Sequence, residues 1–97
     1  MISRVTTVQI QPSKFDELAR LVPELQPAIT AVKQANGFGG LLLLADRATG
    51  KGLMVTQWET EADMLASNRL REEGLAQLAP LLAGPPTTDV FEVLVRA

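Results

Sequence analysis

Residues 37–46 read GFGGLLLLAD, and the four consecutive leucines decide the architecture. The run is bounded by glycines on one side and by Asp46 to Gly52, DRATGKG, on the other, which gives it the length and punctuation of a strand over residues 39–46. Successive side chains of a strand point to opposite faces, so Leu41 to Leu44 put apolar groups on both. One face suits a layer of helices. The other then needs a second apolar layer of its own.

Working downstream, DRATGKG is turn chemistry, Asp and Gly with polar fillers. Residues 53–59, LMVTQWE, follow as a strand, and the short connection makes the pair an antiparallel hairpin. Thr60 suits a helix N-cap, with Glu61 and Asp63 favourable at the positive helix start. The helical pattern runs from Glu61 to Ala83 through Met64, Leu65, Leu70, Leu75, Leu78 and Leu82, with a break or a shift of face expected near Gly74 or Pro80. Gly84-Pro85-Pro86 stops it, and residues 88–96, TDVFEVLVR, read as the last strand.

Working upstream, Asn36-Gly37 ends a helix whose apolar stripe is Phe15, Leu18, Val22, Leu25, Ile29 and Val32. Ser13 is its expected N-cap. Pro23 and Pro27 lie inside the stripe and each removes an amide hydrogen bond, so a kink or break is expected near Leu21–Pro23. Residues 2–10, ISRVTTVQI, form the first strand: Ile2, Arg4, Thr6, Val8 and Ile10 share one face, and Ser3, Val5, Thr7 and Gln9 the other.

The order is β-α-β-β-α-β over one domain, residues 1–97. It implies an α+β ferredoxin-like fold: a four-stranded antiparallel sheet, both helices on one face, and strands 1 and 3 central through right-handed crossovers. Two helices cover one face only. The second face carries leucines from strand 2 and further apolar residues from the other strands, a patch of the kind that marks an interaction site. The expected cover is the same face of a second copy, an isologous homodimer.

Composition narrows the chemistry. The 97 residues contain no His, no Cys and no Tyr, which excludes a histidine-bearing triad, a cysteine nucleophile, a zinc–histidine centre and a phenol acid. Nine basic and eleven acidic residues, net charge −2, form no basic stripe, so nucleic acid is not an expected partner. No apolar run is long enough for a membrane span, and the N-terminus lacks a signal-peptide layout; a cytoplasmic location is expected.

The stretch ANGFGGLLLLADRATGKGLMVTQWETEADMLAS, residues 35–67, resembles the antibiotic-biosynthesis-monooxygenase-like (ABM) proteins of the dimeric α/β-barrel superfamily. Gly37-Phe38 opens the second strand, and Trp58-Glu59-Thr60-Glu61 leads from the third strand into the helix. The remaining elements fit in order. The resemblance implies a homodimer whose sheets form a barrel, with a pocket between helices and sheet in each subunit and no cofactor. It implies oxygenation of an aromatic or polyketide-like small molecule that itself reduces O₂. The alternative on the same fold is a non-catalytic dimeric binding or stress-linked module, and a third is an isomerase- or dehydratase-like activity. The chain departs from active relatives at the usual helix-2 histidine, replaced near Ser67, and offers no histidine for a haem iron.

The candidate pocket residues are Trp58, Arg4, Thr6 and Asn68. Trp58 is either the wall of a site for a flat ligand, its indole N–H fixing an oxygen, or a core closure between strand 3 and helix 2. Arg4 and Thr6 are polar groups on an otherwise apolar strand face; under the helices they need a partner or a ligand anion, and at a strand end Arg4 simply snorkels to water. Asn68 suits a contact to a substrate oxygen, but Ser67, Asn68, Arg69 and Arg71 read together as a solvated helix face, with Arg69 paired to Glu72 or Glu73.

Overall fold

A computed structural model describes all 97 residues. The strands are β1 (Ile2–Gln9), β2 (Phe38–Ala45), β3 (Lys51–Trp58) and β4 (Thr87–Glu92). They form one antiparallel sheet in the order β2-β3-β1-β4, which puts the first and third strands in the centre. The helices are α1 (Phe15–Leu21), α2 (Gln26–Lys33), α3 (Glu61–Ala66) and α4 (Asn68–Leu78).

The first helical segment breaks where its prolines require. Val22–Leu25 is a 3-10 turn between α1 and α2, with Pro23 at its start, and Pro27 sits in the first turn of α2, where its missing N–H costs nothing. The cap expectation at Ser13 fails: Pro12–Lys14 is itself a short 3-10 turn, and the Ser13 hydroxyl makes no cap hydrogen bond. Thr60 does cap, its Oγ1 accepting from the Asp63 backbone N–H at 3.1 Å.

The second helical segment breaks at Ser67, not at Gly74. The Ser67 hydroxyl donates to the Met64 carbonyl at 2.6 Å and competes with the helix ladder at that point. Gly74 remains helical inside α4, and the end at Ala79–Leu81 is a 3-10 turn around Pro80. The last strand is shorter than its β-branched pattern suggests. Val93 N–H donates to the Met1 carbonyl, and Leu94 and Val95 lie outside the sheet and stand 85% exposed.

Arg4, Thr6 and Val8 of β1 are buried under the helices, and the registers Arg4↔Thr56 and Ile2↔Trp58 place Thr56 and Trp58 on the same face. A compact core of Val8, Ile10 and Phe15, flanked by Leu18, Leu75 and Leu82, closes one end of this layer. The Arg4 end is built differently.

Candidate functional site

At the Arg4 end, the space between the sheet and helices α2 and α4 is a cleft of about 70 Å³. Its walls are apolar side chains: Leu41 and Leu43 from β2, Met54 and Trp58 from β3, Ile29 and Val32 from α2, and Leu70 and Leu78 from α4. Leu25, Leu43, Met54 and Leu78 also border an adjoining space of about 130 Å³ that runs toward Val8 and Leu82. Even together the two fall below the ~300 Å³ at which pockets for drug-sized ligands begin.

Trp58 is 0% exposed and is the only tryptophan. Its indole N–H donates to Thr56 Oγ1 at 3.0 Å, and the Phe38 ring meets it edge-on with centroids 5.8 Å apart. The N–H is therefore engaged within the protein and is not free to fix a ligand oxygen; of the two readings of Trp58, the core closure is the one this bond and its burial support.

Two arginines give the cleft its polar side. Arg4, 5% exposed, reaches from the centre of the sheet to the α3–α4 break: Nη1 donates to Asn68 Oδ1 at 2.5 Å and Nη2 donates to Ser67 Oγ at 3.1 Å. Arg71, one turn further along α4, donates from Nε to Thr6 Oγ1 at 3.2 Å and from Nη2 to Thr88 Oγ1. Every acceptor is neutral. The two ion pairs of the protein, Lys14–Glu17 and Arg69–Glu73, lie elsewhere on the surface. Burial, and then the neighbouring Arg71 charge, hold the Arg4 guanidinium below its ordinary value.

The four residues singled out from the sequence thus separate into two roles. Trp58 and Arg4 line the cleft, whereas Thr6 and Asn68 stand behind it and orient Arg71 and Arg4. Arg71 and Ser67 line it as well, which overturns their reading as part of a solvated face; Arg69, paired with Glu73 at 3.3 Å, does belong to that face. The signal for Arg71 was its spacing: it falls one turn after the helix break and beside Leu70 and Gly74, the small residue that leaves the stripe open. No group of three or more acidic, His or Cys side chains converges anywhere to hold a metal ion.

A four-stranded antiparallel sheet in the order β2-β3-β1-β4, with its helices on one face, defines the ferredoxin-like class of small α+β domains. The family model of antibiotic biosynthesis monooxygenase matches residues 1–74, and the chain belongs to that family. Solved structures share the fold across nearly the whole chain. One antibiotic biosynthesis monooxygenase-type protein from Nitrosomonas europaea superimposes with a TM-score of 0.78 at 11% identity, covering 98% of this chain and 100% of its own. A second protein of that organism, of unknown function, gives 0.77 at 17% identity, covering 99% and 91%. A haem degrader from Mycobacterium tuberculosis, solved with two haems in its active site, gives 0.72 at 20% identity, covering 100% and 99%. A comparison with curated proteins returns no match.

Proposed function

We propose that this protein is a homodimer that binds a small aromatic compound in the cleft beneath its helices and supports its cofactor-independent oxygenation. The observation that carries this reading is the cleft itself: apolar walls that include the fully buried Trp58, and two arginines on its border with no carboxylate beside them. Its size suits one or two rings and not a polycyclic compound.

The lining contains no acid, histidine or tyrosine to remove a proton. A substrate must therefore arrive ionised or lose its proton to water. The positive field of Arg4 and Arg71 favours the ionised ring, and the apolar walls keep bulk water from the electron-rich carbon. Oxidation of a phenol to a quinone then balances with one O₂: one oxygen atom becomes the new carbonyl, and the other leaves as water with the ring hydrogen at that carbon and the phenolic hydrogen. The ring supplies the electrons, so the protein's residues bind, orient and exclude water.

Oxygen uptake with a panel of one- and two-ring electron-rich phenols tests this reading. Uptake above the buffer rate, reduced in Trp58→Phe, is the expected result. The small volume of the cleft favours one other reading, a binding module without catalysis. Saturable binding of panel compounds with no uptake above buffer would establish that instead.

A further inference from the structure

We infer that the ligand of this cleft is a small apolar carboxylate, its carboxylate seated on Arg4 and Arg71 and its hydrocarbon part against Trp58, Met54 and Leu43. The inference rests on the reading that the cleft takes a small molecule and adds the chemical class of that molecule.

The argument begins with charge. The chain carries more acidic than basic residues, yet it places two arginines together on the cleft and no acid with them. Two like charges at close quarters repel, and burying Arg4 strips it of water. Structural arginines in such positions are ordinarily met by a carboxylate, because an uncompensated buried charge is costly. Here the sequence meets them with Ser67, Asn68, Thr6 and Thr88 instead. Neutral acceptors fix the direction of each fork without neutralising it.

Geometry supplies the second part. Four guanidinium N–H groups are used by those four acceptors, so the other six donors of the two arginines make no hydrogen bond within the chain. A planar two-oxygen group matches a guanidinium fork, and one negative charge offsets part of the repulsion between the pair. Beyond the arginines, and apart from Thr56 and Ser67 whose hydroxyls already bond to Trp58 and Met64, the lining is apolar or aromatic. A molecule with one anionic end and an apolar body is complementary to both ends at once, whereas a fully apolar ligand leaves the charges unanswered.

The test uses 4-ethylbenzoate and its uncharged isostere 4-ethylbenzamide, titrated by calorimetry and by the fluorescence of Trp58, which as the only tryptophan reports occupancy of this cleft. The expected result is at least tenfold tighter binding of the acid. Arg71→Gln, checked for native circular dichroism, should reduce the acid-to-amide ratio below threefold, and Arg71→Lys should retain a larger part of it. Equal binding of acid and amide would overturn the inference while leaving the cleft a small-molecule site. Binding of neither would overturn both. A tenfold preference that survives Arg71→Gln and Arg4→Gln alike would place the carboxylate elsewhere and also overturn it. None of these outcomes depends on oxygen uptake.

Discussion

Arg4 is the residue at which stability and function pull apart. In the folded chain its charge sits at the centre of a sheet without a counter-charge, and its affinity for the proton is lowered by burial first and by Arg71 second. The native state therefore holds this proton less tightly than the unfolded chain does. Stability from this group rises with pH only in the strongly alkaline range, as the unfolded form keeps the proton longer; across neutral pH both states are charged and the full cost of burial is present. Removing the charge should remove the cost. Arg4→Met is expected to be at least as stable as the parent in urea unfolding, by up to about 1 kcal/mol, since Ser67 keeps its bond to Met64 and the half-buried Asn68 can turn to water. A loss above about 2 kcal/mol would mean that the bonds to Ser67 and Asn68 outweigh desolvation. Trp58 gives the opposite case. Thr56→Val leaves a buried indole N–H without an acceptor and should cost about 1–3 kcal/mol, and the same change in a Trp58→Phe background should cost clearly less. Arg4 stood out in the sequence because it interrupts an apolar strand face, and Trp58 because it is the only tryptophan. Arg71 did not, because on a helix a charged residue two positions from another arginine looks like surface until the partners Thr6 and Thr88 come in from distant strands.

At the scale of elements, the passage from α2 into β2 depends on Gly37. Its φ of 74° is in the left-handed region, and its carbonyl accepts from Glu59 N–H at 2.8 Å, tying the start of β2 to the end of β3. A Cβ there would lie 2.1 Å from Asp63 Oδ2, in the first turn of α3. Gly37→Ala thus meets two costs, the left-handed backbone at about 1 kcal/mol and displacement of the Asp63 side chain, and should lose about 2 kcal/mol or more in chemical denaturation. Asp63→Ala in the same chain removes the carboxylate but not the Cβ, which would still stand 2.8 Å away, and should return only part of the second cost. If it returns nothing, the backbone and the Cβ contact carry the cost. The strands, their order and the proline break were legible because period-two patterning and proline are local signals that the tertiary structure obeys. The break at Ser67 was not. A glycine looks like the weak point by propensity, but the actual break is a hydroxyl-to-carbonyl bond whose Ser67 oxygen also receives Arg4 from β1. The end of β4 is likewise not a local signal: Val93 and Val95 have strand character, yet the pairing with β1 ends at Glu92 opposite Ile2.

The whole molecule leaves one face of its sheet without a covering layer. On the side away from the helices, Leu42 pairs with Val55 and Val55 with Val5, and Phe91 stands opposite Ser3 at the other edge. Leu42 is 57% and Phe91 54% exposed. The four-leucine run therefore does what its pattern required: Leu41 and Leu43 turn to the cleft, and Leu42 turns outward. Covering one such leucine fully is worth roughly 1.5–3 kcal/mol, and an isologous contact covers each residue twice. A charge in that patch would have to lose its water under a second copy, with only Arg96 nearby to offset it. If two copies meet through this face, as proposed, Leu42→Asp should sediment as a monomer where the parent sediments as a dimer, and Phe91→Asp should weaken the dimer less because it lies toward the β4 edge. Neither side chain faces the cleft, so the monomer should keep its circular dichroism and its acid-over-amide preference. A Leu42→Asp protein that sediments as a dimer would mean that the copies meet through another surface. A monomer that no longer distinguishes acid from amide would mean that the second copy holds Arg4 and Arg71 in place across the sheet.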